Sequence, residues 1–161
     1  MKSNHLIYLV LILTFICCKE DQKGMPFLEA EGKGIFIDSL DLIYESAVNV
    51  DSSKAVFKEE TDIERAMLAY RDMNKDFGKF LKENNFKWPF AITCFQKVYF
   101  NNDGSIDYFI FNFLGEPPYK ISAEQEMKFK ELLNKFISTY KFPITADMKY
   151  TQCSTIVYES K

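Results

Sequence analysis

Histidine is nearly missing from this 161-residue chain: it occurs once, as His5. His5 sits in an N-terminal segment that reads as a removable leader, so the mature domain is expected to carry none. That excludes Ser–His and Cys–His nucleophilic pairs and histidine-based zinc or iron centres. An excess of positive charge is also lacking, with 20 Lys and Arg against 23 Asp and Glu. The chain therefore has no basic surplus of the kind that binds nucleic acid. There is no internal repeat, low-complexity tract or proline-rich spacer. Tryptophan is represented by Trp88 alone, whereas Phe (16) and Tyr (9) are plentiful, more than one small core needs. Some of these rings are expected to serve a buried interface.

The first residues carry the clearest signal. Lys2 is a positive start, residues 6–17 form an apolar run, and Cys18-Lys19-Glu20-Asp21 turns abruptly polar. Such a run falls short of the ~20 residues that cross a bilayer and has the proportions of a secretory signal. Leu13-Thr14-Phe15-Ile16-Cys17-Cys18 resembles a lipoprotein lipobox. The resemblance implies a signal peptide over residues 1–17 and acylation of Cys18, with Cys17 as the alternative. Lys19-Glu20-Asp21-Gln22 resembles the tag that some Gram-negative bacteria use to send lipoproteins to the outer face of the outer membrane. An ordinary cleaved signal and an N-terminal membrane anchor are the competing readings. An acyl anchor is physically effective because each buried methylene contributes ~0.8 kcal/mol. Removing Lys2 with the leader leaves 19 basic against 23 acidic side chains, a net charge of −4.

Residues 18–34 read as a lipidated tether, and residues 35–161 as a single α+β domain. Cys94 and Cys153 remain in that domain; beyond the inner membrane such a pair reads as a possible disulfide. Two buried free thiols are the alternative. After Ser39, the apolar residues Leu40, Ile43, Tyr44 and Ala47 suggest a short helix. Thr61-Asp62-Ile63-Glu64 has the form of a capping box opening a long helix. Ile63, Met67, Tyr70, Met73, Phe77, Phe80 and Leu81 recur along it at helical spacing, with Gly78 as a weak point. Asn84-Asn85 ends this helix and Pro89 forbids its continuation.

Two aromatic and β-branched runs, 92–100 and 106–113, flank Asn101-Asn102-Asp103-Gly104-Ser105, a hairpin turn. A calcium loop does not fit, because Tyr99 and Ile110 would occupy its first and last ligand positions, where carboxylates are required. Ser122-Ala123-Glu124-Gln125 opens a second helix with the stripe Met127, Phe129, Leu132, Leu133, Phe136, Ile137 and Tyr140. Residues 148–159 read as a last strand. This order predicts a small antiparallel sheet, the hairpin plus the C-terminal strand, packed with two main helices. Period-two alternation puts Phe109, Phe111 and Phe113 on one face, with Ile106, Tyr108 and Ile110 on the other. Both faces are apolar, so either helices cover both or one awaits a partner.

The segment Phe77-Gly78-Lys79-Phe80-Leu81-Lys82-Glu83-Asn84-Asn85-Phe86-Lys87-Trp88-Pro89, with Val98-Tyr99-Phe100-Asn101-Asn102-Asp103-Gly104-Ser105-Ile106, resembles the C-terminal domain of TonB-family proteins. The second helix, Phe142-Pro143 and the last strand follow in that family's order. A Gly-rich entry to the first strand is absent at Ala91-Ile92-Thr93, and Phe142 stands where the family has tryptophan. The resemblance implies a sheet edge that pairs with a short segment of an outer-membrane protein. Energy transduction is not implied, because a domain tethered to one membrane cannot reach a motor in the other.

The leading expectation is a non-catalytic outer-membrane lipoprotein, acting as an accessory subunit of an integral barrel protein or complex. Phe109, Phe111, Phe113, Tyr150, Ile156 and Tyr158 are the candidate partner-binding residues. The alternative is a ligand-capturing lipoprotein that holds a glycan, haem or peptide on Trp88, Tyr99 and Tyr108. An enzyme is disfavoured: the densest acidic cluster, Glu59-Glu60-Asp62-Glu64, sits at a helix start, where such charges favour the macrodipole. No cofactor or metal is expected.

Overall fold

The structure, a computed structural model, describes residues 23–160. The segment read as a leader, and Cys18, lie outside them. The described chain runs β1 (Gly24–Pro26), α1 (Phe27–Gly32), α2 (Ile37–Leu40), β2 (Glu45–Ser46), α3 (Glu60–Glu83), β3 (Ile92–Phe100), β4 (Ile106–Leu114), α4 (Ala123–Thr139) and β5 (Tyr150–Tyr158). The fold is α+β, as expected, with one five-stranded sheet in the order β1-β4-β3-β5-β2. Its three long central strands are antiparallel, as read from the sequence. Two short parallel strands, β1 against β4 and β2 against β5, make the sheet mixed. Neither was visible in the sequence, because two or three residues carry no periodicity.

The hairpin forms where expected. Asn101 N–H donates to Ser105 O (2.8 Å) and Gly104 N–H to Asn101 O (3.0 Å). Gly104 has φ +84°, and a Cβ there would collide with the carbonyl oxygen of Phe142. Only glycine lets the 142 loop close over this turn. Asp103 accepts from the N–H and hydroxyl of Ser105 (2.9 and 2.7 Å). Those bonds, with Lys141 beside it, hold its carboxyl well below the usual carboxylate range.

Helices α3 and α4 cover one face of the sheet. Ala66, Tyr70, Met73, Phe77 and Leu81 of α3 are buried there, as are Phe129, Leu132, Leu133, Phe136 and Ile137 of α4. Met67 and Met127, read as part of the apolar stripes, are exposed instead. The Ser122 capping box is present, with Gln125 N–H donating to Ser122 Oγ at 3.2 Å. The Thr61–Glu64 box is not. The N-cap of α3 is Glu59, two residues before Thr61, and makes no side-chain cap, so Thr61 lies inside the first turn. Asp62 and Ile63 donate instead to Glu59 O (3.0 and 2.9 Å).

The aromatic surplus is absorbed by this core. Phe77 meets Phe109, Phe129 and Phe136 at centroid distances of 6.4, 5.4 and 5.1 Å. Phe129 also contacts Phe111 and Phe113, both at 5.0 Å. The Phe77–Phe129, Phe129–Phe111 and Phe129–Phe113 pairs are edge-to-face, an arrangement that adds about 0.5–1.5 kcal/mol per pair beyond area burial.

Residues 23–34, the described part of the segment read as a tether, are folded. Gly24–Pro26 pair with Phe109–Phe111, Met25 and Ala30 are buried, and Asn134 clasps Gly24 through its side chain (2.9 and 2.7 Å). The short helix expected after Ser39 is a single turn, Ile37–Leu40. Tyr44 instead enters the second face through a turn, joining Met25, Ala30, Leu40, Tyr99 and Ile110 in a small second core. Asp41, reached by Lys97 Nζ and by Tyr99 Oη (3.2 Å), pins that layer to the sheet. A β-bulge explains one misplaced side chain. The ladder pairs Tyr99 with Tyr108 and Phe100 with Ile106, leaving Asp107 unopposed. The extra residue turns Ile106 onto the main-core face, opposite to simple alternation.

Candidate functional site

Every residue expected to bind a partner lies in or against the main core. Phe109, Phe111, Tyr150 and Tyr158 are buried, and Phe113 and Ile156 pack half-buried against them. Tyr150 Oη donates to Ile144 O (2.6 Å). These side chains are structural, so the Phe109/Phe111/Phe113 face offers no docking surface. Alternation shows which residues share a face; it does not show whether a helix covers that face.

The cysteine pair is also corrected. Cys94 and Cys153 are free thiols, the first buried and the second exposed. They lie on adjacent strands three positions out of register: Cys94 opposes Ile156, and Cys153 opposes Lys97. Cys94 points into the main core, whereas its odd offset puts Cys153 on the other face. Burial pushes the Cys94 thiol up to about 12, which leaves it inert.

Among the described residues, the outer edge of β5 beyond Thr151 has no partner strand. β2 pairs only with Tyr150 and Thr151, where Lys149 O and Thr151 O accept from Glu45 and Ala47 N–H (3.1 and 2.8 Å). By alternation, the backbone groups of Cys153, Thr155 and Val157 point the same way. One of them is already stoppered: the Gln152 side-chain amide donates to Cys153 O at 2.9 Å. Gln152-Cys153-Ser154-Thr155-Ile156-Val157-Tyr158 contains no charge, proline or glycine. Native sheets usually protect an edge with Lys, Pro or a bulge. Here an uncharged, β-prone segment has none of these.

Beside this edge lies a cleft of about 420 Å³, lined by Gly78 and Leu81 of α3, Phe86 and Trp88 of the following loop, and Val157 and Tyr158 of β5. Trp88 stacks on Tyr158 at 4.7 Å and 20°, forming its aromatic floor. Gly78 leaves the wall open, since a Cβ there would meet nothing within 4 Å. Lys82, Lys87 and Glu159 rim it. On the other side of the same edge, Leu114, Thr93 and Val157 form one row across the sheet, with Asn112, Phe95 and Thr155 as the next. Leu114 and Val157 are exposed, because the α1–α2 layer stops short of them.

A strand added to β5 would satisfy the free backbone groups. It would drop alternate side chains into the Trp88 cleft and onto the Phe95–Leu114–Val157 face. Sequence reading takes Gly78 only as a weak point of its helix, leaves open which sheet edge is bare, and misses Gln152. The uncharged run was legible, but which strand lies at an edge is a property of topology. Trp88, Tyr99 and Tyr108, grouped as a stacking platform, do not converge: Tyr99 is fully buried, and Tyr108 packs against the second core, on the face away from Trp88.

Among the described residues, no group of three or more His, Cys, Asp or Glu side chains could hold a metal ion. No described helix is long and apolar enough to cross a membrane. Compared with known protein families, curated protein sequences and solved structures, the chain finds no match in any of the three.

Proposed function

We propose that this protein is a non-catalytic outer-membrane lipoprotein, acylated at Cys18. It serves as an accessory subunit that captures an extended segment of an integral outer-membrane protein along the β5 edge. The observation that carries this reading is an unpaired, uncharged edge beside an apolar cleft. Backbone pairing supplies affinity there, and the Trp88 cleft selects an apolar side chain. The resemblance to the TonB C-terminal domain supports the same mode of contact, a sheet edge joined by a partner's strand.

Folding of residues 23–34 shortens the tether. From Cys18 to Lys23 is a stretch of five residues, which reaches ~17 Å at most. The domain is thus held close to its membrane by the end of the sheet where β1 enters, the hairpin end. β5 runs nine residues away from that end, or ~30 Å. The open edge is therefore presented to a partner segment that stands clear of the bilayer.

Two measurements test the proposal. Mass spectrometry of the N-terminal peptide should find Cys18 carrying diacylglycerol and fatty acyl groups; an unmodified N-terminus on a secreted protein would remove the anchor. Crosslinking in native membranes should recover a barrel protein with the tagged chain. Thr155→Pro deletes an outward N–H at a position where edge strands tolerate proline. Gly78→Trp fills the cleft. Each should abolish that crosslink with circular dichroism unchanged. Retention of the partner by both folded variants would defeat the edge assignment.

A further inference from the structure

The hairpin end of the molecule carries a second cleft, of about 510 Å³, lined by Lys23, Met25, Lys33, Ile35, Tyr44, Asp107, Tyr108 and Lys149. Its charges do not balance. Lys149 Nζ and Tyr44 Oη both engage Asp107 Oδ2 (2.9 and 2.8 Å). Lys33 shares Glu29 with Lys130, at 2.8 and 2.7 Å. Lys23 reaches only a carbonyl, Ile106 O, at 3.0 Å. The lining thus brings three ammonium groups, Lys23, Lys33 and Lys149, together with one carboxylate, Asp107, in a chain whose net charge is −3. Asp107 owes its place here to the bulge in β4, which leaves it unopposed in the ladder and free to meet Tyr44 and Lys149. The remaining wall is apolar, from Met25, Ile35 and the Tyr108 ring.

We infer that this cleft binds the phosphate of an anionic membrane lipid, with Lys23 and Lys33 as the principal cations. A cationic site with an apolar wall suits a headgroup whose glycerol and acyl parts continue beyond the phosphate. Its position supplies the rest: Lys23 lines the cleft and is five residues from Cys18. Contact with the bilayer rests on the proposed acylation, whereas recognition of the headgroup does not. Headgroup binding at this end would fix the domain's orientation and turn the β5 edge outward.

The test separates the two. Both cores lie within residues 25–158, so the chain can be produced from residue 18 onward as Cys18→Ser, with no acyl group. Co-sedimentation should show binding to vesicles containing phosphatidylglycerol and none to pure phosphatidylcholine. Lys23→Gln and Lys33→Gln should each weaken it roughly fivefold, as about 1 kcal/mol per basic residue at an anionic surface implies. Lys79→Gln, on the exposed side of α3, should leave it unchanged. Equal loss with Lys79→Gln, or no binding to either vesicle, would overturn the inference. So would inorganic phosphate shifting the Asp107 and Tyr108 amide resonances while vesicles do not, since the site would then serve a soluble phosphate. Absence of an acyl group on the native protein would refute the anchor and leave this result standing.

Discussion

Ile110 and Leu114 lie four residues apart on the same strand and the same face of the sheet, yet Ile110 is 2% exposed and Leu114 is 47% exposed. In the hairpin half of the sheet, α3 and α4 cover one face, while residues 23–57, which supply β1, α1, α2 and β2, cover the other face and pair along both edges. Among the described residues, the far half has helices on one face only, and β5 beyond Thr151 and β4 beyond Phe111 are its bare edges. The same three long strands run through both halves, so strand composition does not explain the difference. An N-terminal segment finishes one end of a sheet whose other end stays open, and an unfinished end is where a partner's strand can add.

This contrast can be broken most forcefully by truncation at those two positions. Ile110→Ala should cost about 2–5 kcal/mol, the loss for a large aliphatic side chain in a close-packed site. Leu114→Ala should cost less than about 1 kcal/mol, as for an exposed position. Urea unfolding measures both. Equal losses would mean that something covers the far face as well.

A smaller effect is expected in the cleft wall. Gly78→Ala should stabilise the free protein by about 0.5–1 kcal/mol, since alanine favours the helix and its methyl meets nothing. A loss of stability in thermal melts would show the cleft to be closed in solution.

The smallest effect concerns how the closed half is held. Burial raises the Glu29 pKa, but hydrogen bonds from Lys130 and Lys33 outweigh it and leave the carboxyl below its ordinary value. A depressed folded-state pKa means stabilisation that is complete above the unfolded value and lost as pH falls through the folded one. Wild type should therefore lose stability faster than Glu29→Gln on acidification below the ordinary glutamate range. Parallel pH profiles would show that the Glu29 pairs contribute nothing, as many exposed ion pairs do.

Much of this fold could be read in advance. Helical spacing from Tyr70 to Leu81 and from Phe129 to Ile137, the Ser122 box, and the turn at Asn101–Ser105 are local signals, each written within a few residues of its own element. The misreadings were non-local. Glu20 to Gly34 looked like a tether because its glycines and charges outnumber its apolar residues. Met25 and Ala30 are nevertheless buried against β4, which begins more than 70 positions further along the chain. Cys94 and Cys153 fall on neighbouring strands, but their pairing depended on a register that the sequence does not state. Phe109, Phe111 and Tyr158 looked like an interface because an apolar strand face reads the same whether a helix or another protein covers it.

From the chain alone came the element types, their order, the hairpin, and the chemistry that a histidine-poor domain forgoes. All of these follow from backbone preferences and side-chain periods acting over a few residues. Tertiary structure alone decided which strand became an edge, which half of the sheet was covered, and which lysines gathered around Asp107. Those outcomes depend on which distant segments bury one another's surface, and hydrophobic burial is indifferent to separation along the chain.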